Sequence, residues 1–314
     1  FFTIKISMKL LIELPTWLGD CVMATPAIEN IANFYNDAQI TLIGSFVAIE
    51  AMKKNSKVVK TVVLSKKYRD LVKISQELGS FDAFFSFRSS IRSKFLKFCI
   101  SAKNKYQFDK NTYQSRHQVE KYNDFVNDSL NTNFPAGKLS LSAISHQPST
   151  NKTVGLNPGA SYGSAKRWYP QEFAKVAGEL SGQYDIVIFG GPSEVNIAGD
   201  IEKLLIEKGV DNYQNLAGKT SITALIDHIS NLDLFITGDS GPMHVAAAFE
   251  VPTVAIFGPT KDDETSQWMN EKSVIVKKNL DCQPCMKRTC PLKHHDCMKL
   301  ITSVEVLDAV NGIG

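Results

Sequence analysis

The chain has 314 residues, 43% hydrophobic and 21% charged, which is enough apolar material for two cores of ordinary size. A formal charge of +3 is too small to point to nucleic acid, and the chain has no apolar run of the roughly 20 residues that a membrane span needs. Met8-Lys-Leu-Leu-Ile-Glu-Leu carries Glu13 where a cleavable signal peptide would stay apolar, so a cytoplasmic protein is expected, with Met8 as its natural start and Phe1–Ser7 as upstream sequence.

The first strand-like run, Lys9–Leu14, leads into Leu14-Pro-Thr-Trp-Leu-Gly-Asp20. It delivers Asp20 to the strand's carboxyl end, where open α/β sheets keep their ligand sites. Gly19 allows a tight turn, and Thr25-Pro26 is expected to restart a helix with a cap and a proline at its first position. The Asp20 carboxylate is then either a helix N-cap or a general base, and a nearby helix N-terminus keeps it ionised, as a base requires.

Further strands are expected at Gln39–Ile43, Val58–Val63 and Ala83–Ser86. The last is followed by Phe87-Arg-Ser-Ser-Ile-Arg-Ser-Lys-Phe-Leu-Lys97, which brings Arg88, Arg92, Lys94 and Lys97 together with Ser89, Ser90 and Ser93 among them. That composition suits phosphate or carboxylate recognition. With Phe95 and Phe98 the stretch also suits an anionic membrane surface, and the plainer alternative is a basic amphipathic helix face. Leu139–Thr153 is polar and rich in breakers and reads as a linker. The expected domains are 8–147 and 154–302, joined by a linker at 148–153, with a terminal helix over 303–314 placed to cross back to the first domain.

The second half restarts with strands at Thr153–Asn157, Asp185–Phe189, Asn212–Asn215, Asp233–Thr237, Thr253–Phe257 and Ser273–Val276. Strands alternating with helix-length segments predict α/β layering with parallel sheets. After Asn157 comes a Gly- and Ser-rich loop that ends in Lys166 and Arg167. This pair suits a diphosphate, the lysine as a point charge and the arginine as a fork, or else it is a solvated basic turn. Phe189-Gly-Gly-Pro-Ser-Glu194 is a third loop at a strand end, where Glu194 is placed to accept from ribose hydroxyls. Gly-x-Gly-x-x-Gly and Walker loops are both missing, which argues against dinucleotide redox and NTPase chemistry.

Thr220–Ile229 places Ile222, Leu225, Ile226 and Ile229 on one face of a capped helix. Gly238-Asp-Ser-Gly-Pro-Met-His244 joins a strand to a small-residue helix, and Gly258-Pro-Thr260 closes the next strand. Strand, Gly-flanked turn and helix together aim backbone N–H groups and a positive dipole end at an anion. The alternative is an ordinary turn capped by Asp239 or Ser240. Cys282, Cys285, Cys290 and Cys297 have C-x2-C-x4-C-x6-C spacing, with His294 and His295 inside it. They form either a structural zinc or iron clip or a set of free thiols. Thr302-Ser-Val-Glu305 is a capping-box pattern that opens a final helix.

The Gly19-Asp20 turn, Asn157-Pro-Gly-Ala160, Lys166-Arg167-Trp168, Leu216-Ala-Gly-Lys-Thr220 and Gly238–His244 together resemble the bacterial lipopolysaccharide heptosyltransferases of glycosyltransferase family nine. The resemblance covers nearly the whole chain from Met8, and the Cys282–Cys297 segment is similar to the heptosyltransferase II branch. It implies a GT-B fold, with two Rossmann-like doubly wound domains facing a cleft. It also implies ADP-L-glycero-D-manno-heptose as donor, a lipid A–Kdo–heptose core as acceptor, and inverting transfer with no catalytic metal, at the cytoplasmic face of the inner membrane.

On that resemblance Asp20 is the base and Lys166 stabilises the leaving group. Donor contacts fall on Asn157, Gly159, Ser161, Lys166, Arg167, Glu194, Asp239, Ser240, Gly241 and His244, and acceptor contacts on Arg88, Ser89, Arg92 and Lys94. Asp239 holds the turn or meets donor hydroxyls, and His244 packs or hydrogen-bonds beneath it. The rival readings are transfer to another core position, another sugar nucleotide, or a catalytically silent nucleotide-sugar-binding protein.

Overall fold

Leu10, Leu11 and Ile12 are fully buried, and so are their neighbours Leu42, Ile43, Phe84 and Phe85. Such continuous apolar runs are what a parallel sheet needs when helices cover both of its faces. The computed structural model describes residues 7–144 and 151–313, so the middle of the expected linker, residues 145–150, lies outside the described residues. The chain forms two units, Phe1–Ser142 and Ala143–Gly314.

In the first unit the elements run β1 (Lys9–Glu13), α1 (Leu18–Met23), α2 (Thr25–Phe34), β2 (Gln39–Gly44), α3 (Phe46–Met52), β3 (Val58–Val63), α4 (Tyr68–Leu78), β4 (Ser80–Ser86), α5 (Ile91–Cys99), β5 (Ser101–Gln107) and α6 (Gln118–Leu130). The parallel sheet has the order β3-β2-β1-β4-β5. β5 has no counterpart in the sequence expectations, because Ser-Ala-Lys-Asn-Lys-Tyr-Gln is a mostly polar edge strand with no apolar run to mark it. Thr25 is not the cap expected for α2. Ala24 holds that position, while the Thr25 hydroxyl donates to Val22 O at 2.7 Å and accepts from Ser140 N at 3.0 Å.

The second unit continues with β6 (Lys152–Asn157), α7 (Pro170–Leu180), β7 (Tyr184–Ile188), α8 (Val195–Glu207), β8 (Tyr213–Asn215), α9 (Ile222–Ile229), β9 (Leu234–Gly238), α10 (Gly241–Ala248), β10 (Thr253–Phe257), α11 (Asp262–Thr265), β11 (Ser273–Lys277), α12 (Asp296–Lys299) and α13 (Ser303–Asn311). Its parallel order is β11-β10-β9-β6-β7-β8. The core gathers Val154, Leu156, Trp168, Phe173, Ile188 and Ile236 from its strands, loops and helices.

α13 packs on α7, β10 and β11, and its Val306 joins the core of the second unit. Its start is the expected capping box, with Thr302 accepting from Glu305 N and Glu305 accepting from Thr302 N.

In both sheets the first strand is flanked on one side by its successors in order and on the other by a later strand. The order therefore reverses between β1 and β4, and again between β6 and β9. Open α/β sheets bind ligands beyond the strand carboxyl ends at such switch points.

Candidate active site

At the first switch point Glu13 and Ser86 are register partners at the ends of β1 and β4. Glu13 is fully buried, and its carboxylate accepts from the hydroxyls of Ser86, at 2.6 Å, and Ser93. Arg88 Nη1 lies 3.4 Å from its other oxygen. A buried carboxylate requires such partners, so Arg88 and Ser93 are committed partly to structure. Ser90 caps α5, accepting from Ser93 N at 3.2 Å. Arg92 reaches back to Ser65 O, and its Nε is buried with no hydrogen-bond partner among the described residues. Burial and then the neighbouring Arg88 charge lower its pKa. Ser89 is half-buried in the turn, while Lys94 is exposed on α5.

Asp20 follows the same strand. It is the third residue of α1, behind an N-cap held by Trp17, so the capping alternative does not hold. Tyr122, buried on α6, hydrogen-bonds to it, and burial followed by the Asp20 charge raises the tyrosine pKa well above its ordinary value. The phenol ring is held edge-on by Phe87 and Phe108. Sequence reasoning missed Tyr122, which lies about a hundred positions from Asp20 with no motif linking the two. Glu13 did carry a signal, as a lone acid inside an apolar strand.

At the second switch point Asn157 and Thr237 are register partners on β6 and β9. Asn157 Nδ2 donates to Ser240 Oγ at 3.1 Å and Thr237 Oγ1 at 3.2 Å, and the two hydroxyls are 3.0 Å apart. Ser240 is the N-cap residue of α10 but makes no side-chain capping bond there, so its hydroxyl is held by Asn157 instead. Gly241 and Pro242 open that helix, and His244 is buried one turn in.

Lys166 sits in a short 3₁₀ turn, Ser164–Lys166, with its side chain 12% exposed. Its Nζ is 2.5 Å from Asp239 Oδ2, 3.4 Å from Asp239 O and 4.7 Å from the centre of the Tyr162 ring. Thr260 donates to the same Asp239 oxygen at 2.6 Å. The GDSG turn, the Lys166 loop and the Gly-Pro-Thr loop thus meet on one buried carboxylate. Thr237, Thr260 and Tyr162 are contributors that sequence reasoning did not assign. Arg167 Nε is buried with no hydrogen-bond partner among the described residues, and Ser161 is exposed in the loop. The buried Glu194 accepts from Gly191 N at 2.7 Å and lies against Gly159, where a Cβ would come within 2.1 Å of its carboxylate carbon.

The cysteine segment packs over both loops. Gln283 Nε2 donates to Gly258 O at 2.7 Å, and Met286 N to Pro259 O at 2.9 Å. The Tyr162 hydroxyl donates to Met286 O at 2.7 Å, and Ala165 N to Arg288 O at 3.1 Å. His295 Nε2 donates to Ala165 O at 2.9 Å, which leaves its Nδ1 to accept from the Tyr169 hydroxyl at 3.1 Å. Among the described residues no three His, Cys, Asp or Glu side chains are gathered to hold a metal ion. Cys282, Cys285, Cys290 and Cys297, read from the sequence as either a zinc or iron clip or a set of free thiols, form no disulfide among the described residues. Hydrogen bonds order the segment, and Cys297 is buried near Gly258. Burial, then the other three thiols, push its pKa up to about 11.

Among the described residues no helix is long and apolar enough to cross a membrane.

The sequence profile of "Glycosyltransferase family 9 (heptosyltransferase)" matches residues 72–295. Lipooligosaccharide heptosyltransferase 2 of Campylobacter jejuni serotype O:2 is 45% identical, over 98% of each chain. The solved structure of Escherichia coli ADP-heptose LPS heptosyltransferase II has a TM-score of 0.82 at 21% identity, over 98% of each chain. An iron-containing dodecameric glycosyltransferase from enterotoxigenic E. coli has a TM-score of 0.65 at 16% identity, over 98% of this chain and 76% of that one. The two doubly wound sheets are those of the GT-B fold, and the chain belongs to glycosyltransferase family 9, the heptosyltransferases.

Proposed function

We propose that this enzyme moves L-glycero-D-manno-heptose from ADP-heptose to the first heptose of a lipopolysaccharide or lipooligosaccharide inner core, at the cytoplasmic face of the inner membrane. The observation that carries the donor half is the convergence of Lys166, Asp239 and the side-chain-uncapped N-terminus of α10 at the β6–β9 switch point. A cation and a helix N-terminus on adjacent loops suit the diphosphate of a nucleotide sugar. Asn157, Gly159 and Ser161 line the same strand end, Arg167 adds a second cation, and Glu194 is assigned to the ribose hydroxyls. Ser240 and Gly241 face the diphosphate, while Asp239 orients Lys166 and His244 supports the turn from inside α10.

The reaction is a single in-line displacement. Asp20 takes the proton of the acceptor hydroxyl, whose oxygen forms a bond to the anomeric carbon as the bond to the ADP oxygen breaks. Negative charge grows on the departing ADP, where Lys166 and backbone N–H groups meet it, so the residues themselves supply the stabilisation. Arg88, Ser89, Arg92 and Lys94 are assigned to acidic groups of the acceptor.

Mass analysis of two truncated core lipids after incubation with ADP-heptose tests this reading. Addition only to the mono-heptosylated lipid is the expected outcome. Addition only to the heptose-free lipid would move the enzyme to the first heptose position, and no addition to either would reject the acceptor class.

A further inference from the structure

Helix α5 buries Ser93 and Leu96 but turns Ile91 and Phe98 outward, 82% and 83% exposed. Seven residues apart, they lie on one face of the helix, with exposed Lys94 and half-buried Phe95 between them. α4 packs beside α5, and its half-exposed Tyr68 meets Phe95 edge-on, with ring centres 5.2 Å apart. Val72, four residues on, is exposed as well. The Arg92 bond to Ser65 O ties the loop before α4 to α5.

That loop and the start of α4 carry Lys66, Lys67 and Arg69, all exposed, and Lys73 and Lys97 add charge along the helices. Two acids stand among them: Asp70 accepts from Ser65 Oγ and keeps its charge, and Glu77 offsets Lys73 at 3.8 Å, so the surface stays positive through Lys66, Lys67, Arg69, Lys94 and Lys97. Large apolar side chains standing out of a positive surrounding suit an interface that is apolar within and anionic at its headgroups.

We propose that the α4–α5 face, with Ile91 and Phe98 as its apolar anchors and Lys66, Lys67, Arg69 and Lys94 as its cations, docks on an anionic lipid bilayer. It rests on the reading of a lipid-linked acceptor, which such docking would bring within reach of the first domain. Charge complementarity favours this occupant over a second copy, because two such faces would set like charges against each other.

Co-sedimentation with phosphatidylcholine vesicles, with and without phosphatidylglycerol, tests it. The native protein should bind the vesicles containing phosphatidylglycerol, weakly or not at all the neutral ones, and lose affinity as salt rises. The double variant Ile91→Ser/Phe98→Ser should bind about tenfold or more weaker, since the hydrophobic part of such binding scales with the apolar area buried. Both side chains are exposed, so its circular dichroism and Tm should match the native protein. Lys67→Glu/Arg69→Glu provides a second variant that leaves the apolar anchors in place, and it should lose the preference for anionic vesicles. Binding that is undiminished in both variants, or equal on neutral and anionic vesicles, would overturn the proposal. So would self-association through this face in place of vesicle binding.

Transfer assays separate this from the enzymatic reading. The apolar double variant should lose kcat/KM on acceptor embedded in vesicles and keep it on a deacylated core acceptor, while equal loss on both would reject docking. Failure of the native protein to modify the deacylated acceptor would count against the heptosyl-transfer reading alone, with vesicle binding still deciding the docking face.

Discussion

Asp20 and Tyr122 illustrate how one side chain's chemistry depends on another that arrives from elsewhere in the chain. The carboxylate sits in the first turn of α1, where the helix dipole favours its ionised form, and it accepts a hydrogen bond from a buried phenol. Asp20→Asn should lower turnover ~10²–10⁴-fold and leave ADP-heptose affinity nearly unchanged, because a base acts in the transition state and not in donor binding. Steady-state kinetics with isothermal titration of the donor would check this, and near-normal turnover would remove Asp20 as the base. Tyr122→Phe takes away a donor that stabilises the charged carboxylate, so the pKa of Asp20 should rise. The acid limb of the pH–rate profile should then move upward by at most about two units, one bond to an ionised group being worth roughly 1.5–3 kcal/mol. A profile that falls uniformly without moving would mean that the tyrosine only fills space.

At the scale of the element, α13 shows what short-range chemistry decides. Thr302 and Glu305 cap it reciprocally, and Lys278 bonds to Glu305 at 2.5 Å. The Lys278 hydrogen bond first, opposed by burial and helped by the Thr302 backbone, lowers the pKa of Glu305. A carboxylate with a depressed folded pKa stabilises the fold fully above its unfolded value of about 4.3, and that stabilisation is lost as pH falls through the folded value. Glu305→Gln should therefore lower Tm at neutral pH and converge with the native protein under acid, as scanning calorimetry between about pH 3 and pH 7 would show. A Tm difference that persists unchanged to the acid end would assign the effect to packing. The capping box could be read from four residues, since its partners are neighbours in the chain. The surface on which α13 rests could not, because an apolar helix face specifies that it is buried but not against what.

Across the whole molecule, the two ligands are assigned to separate sheets, and this division has a measurable consequence. Lys166→Ala should weaken ADP binding and slow turnover together, because the ammonium acts on both ground-state and leaving-group charge. Lys94→Glu, an exposed substitution in the first unit, should raise the apparent acceptor KM several-fold, as a surface charge near a charged ligand does, and spare donor affinity. ADP titration and acceptor saturation curves on the two variants would check this division. A donor defect in Lys94→Glu, or unchanged ADP affinity in Lys166→Ala, would contradict it.

The alternation of apolar strands with helix-length segments, together with the loops at the strand ends, was enough by itself to specify two doubly wound sheets and the positions of Asp20, Asn157, Lys166 and Asp239. Those signals are local: burial on both faces writes an apolar run, and a turn that must bend tightly writes glycine. Tertiary structure decided the rest. It brought Tyr122 to Asp20, sealed Glu13 among two hydroxyls and Arg88, placed Thr260 and Lys166 on the same Asp239 oxygen, and laid the cysteine segment over the loops that carry Lys166 and Thr260. Contacts between distant segments leave no periodicity in the chain, because they are set by how the elements pack and not by how each one forms.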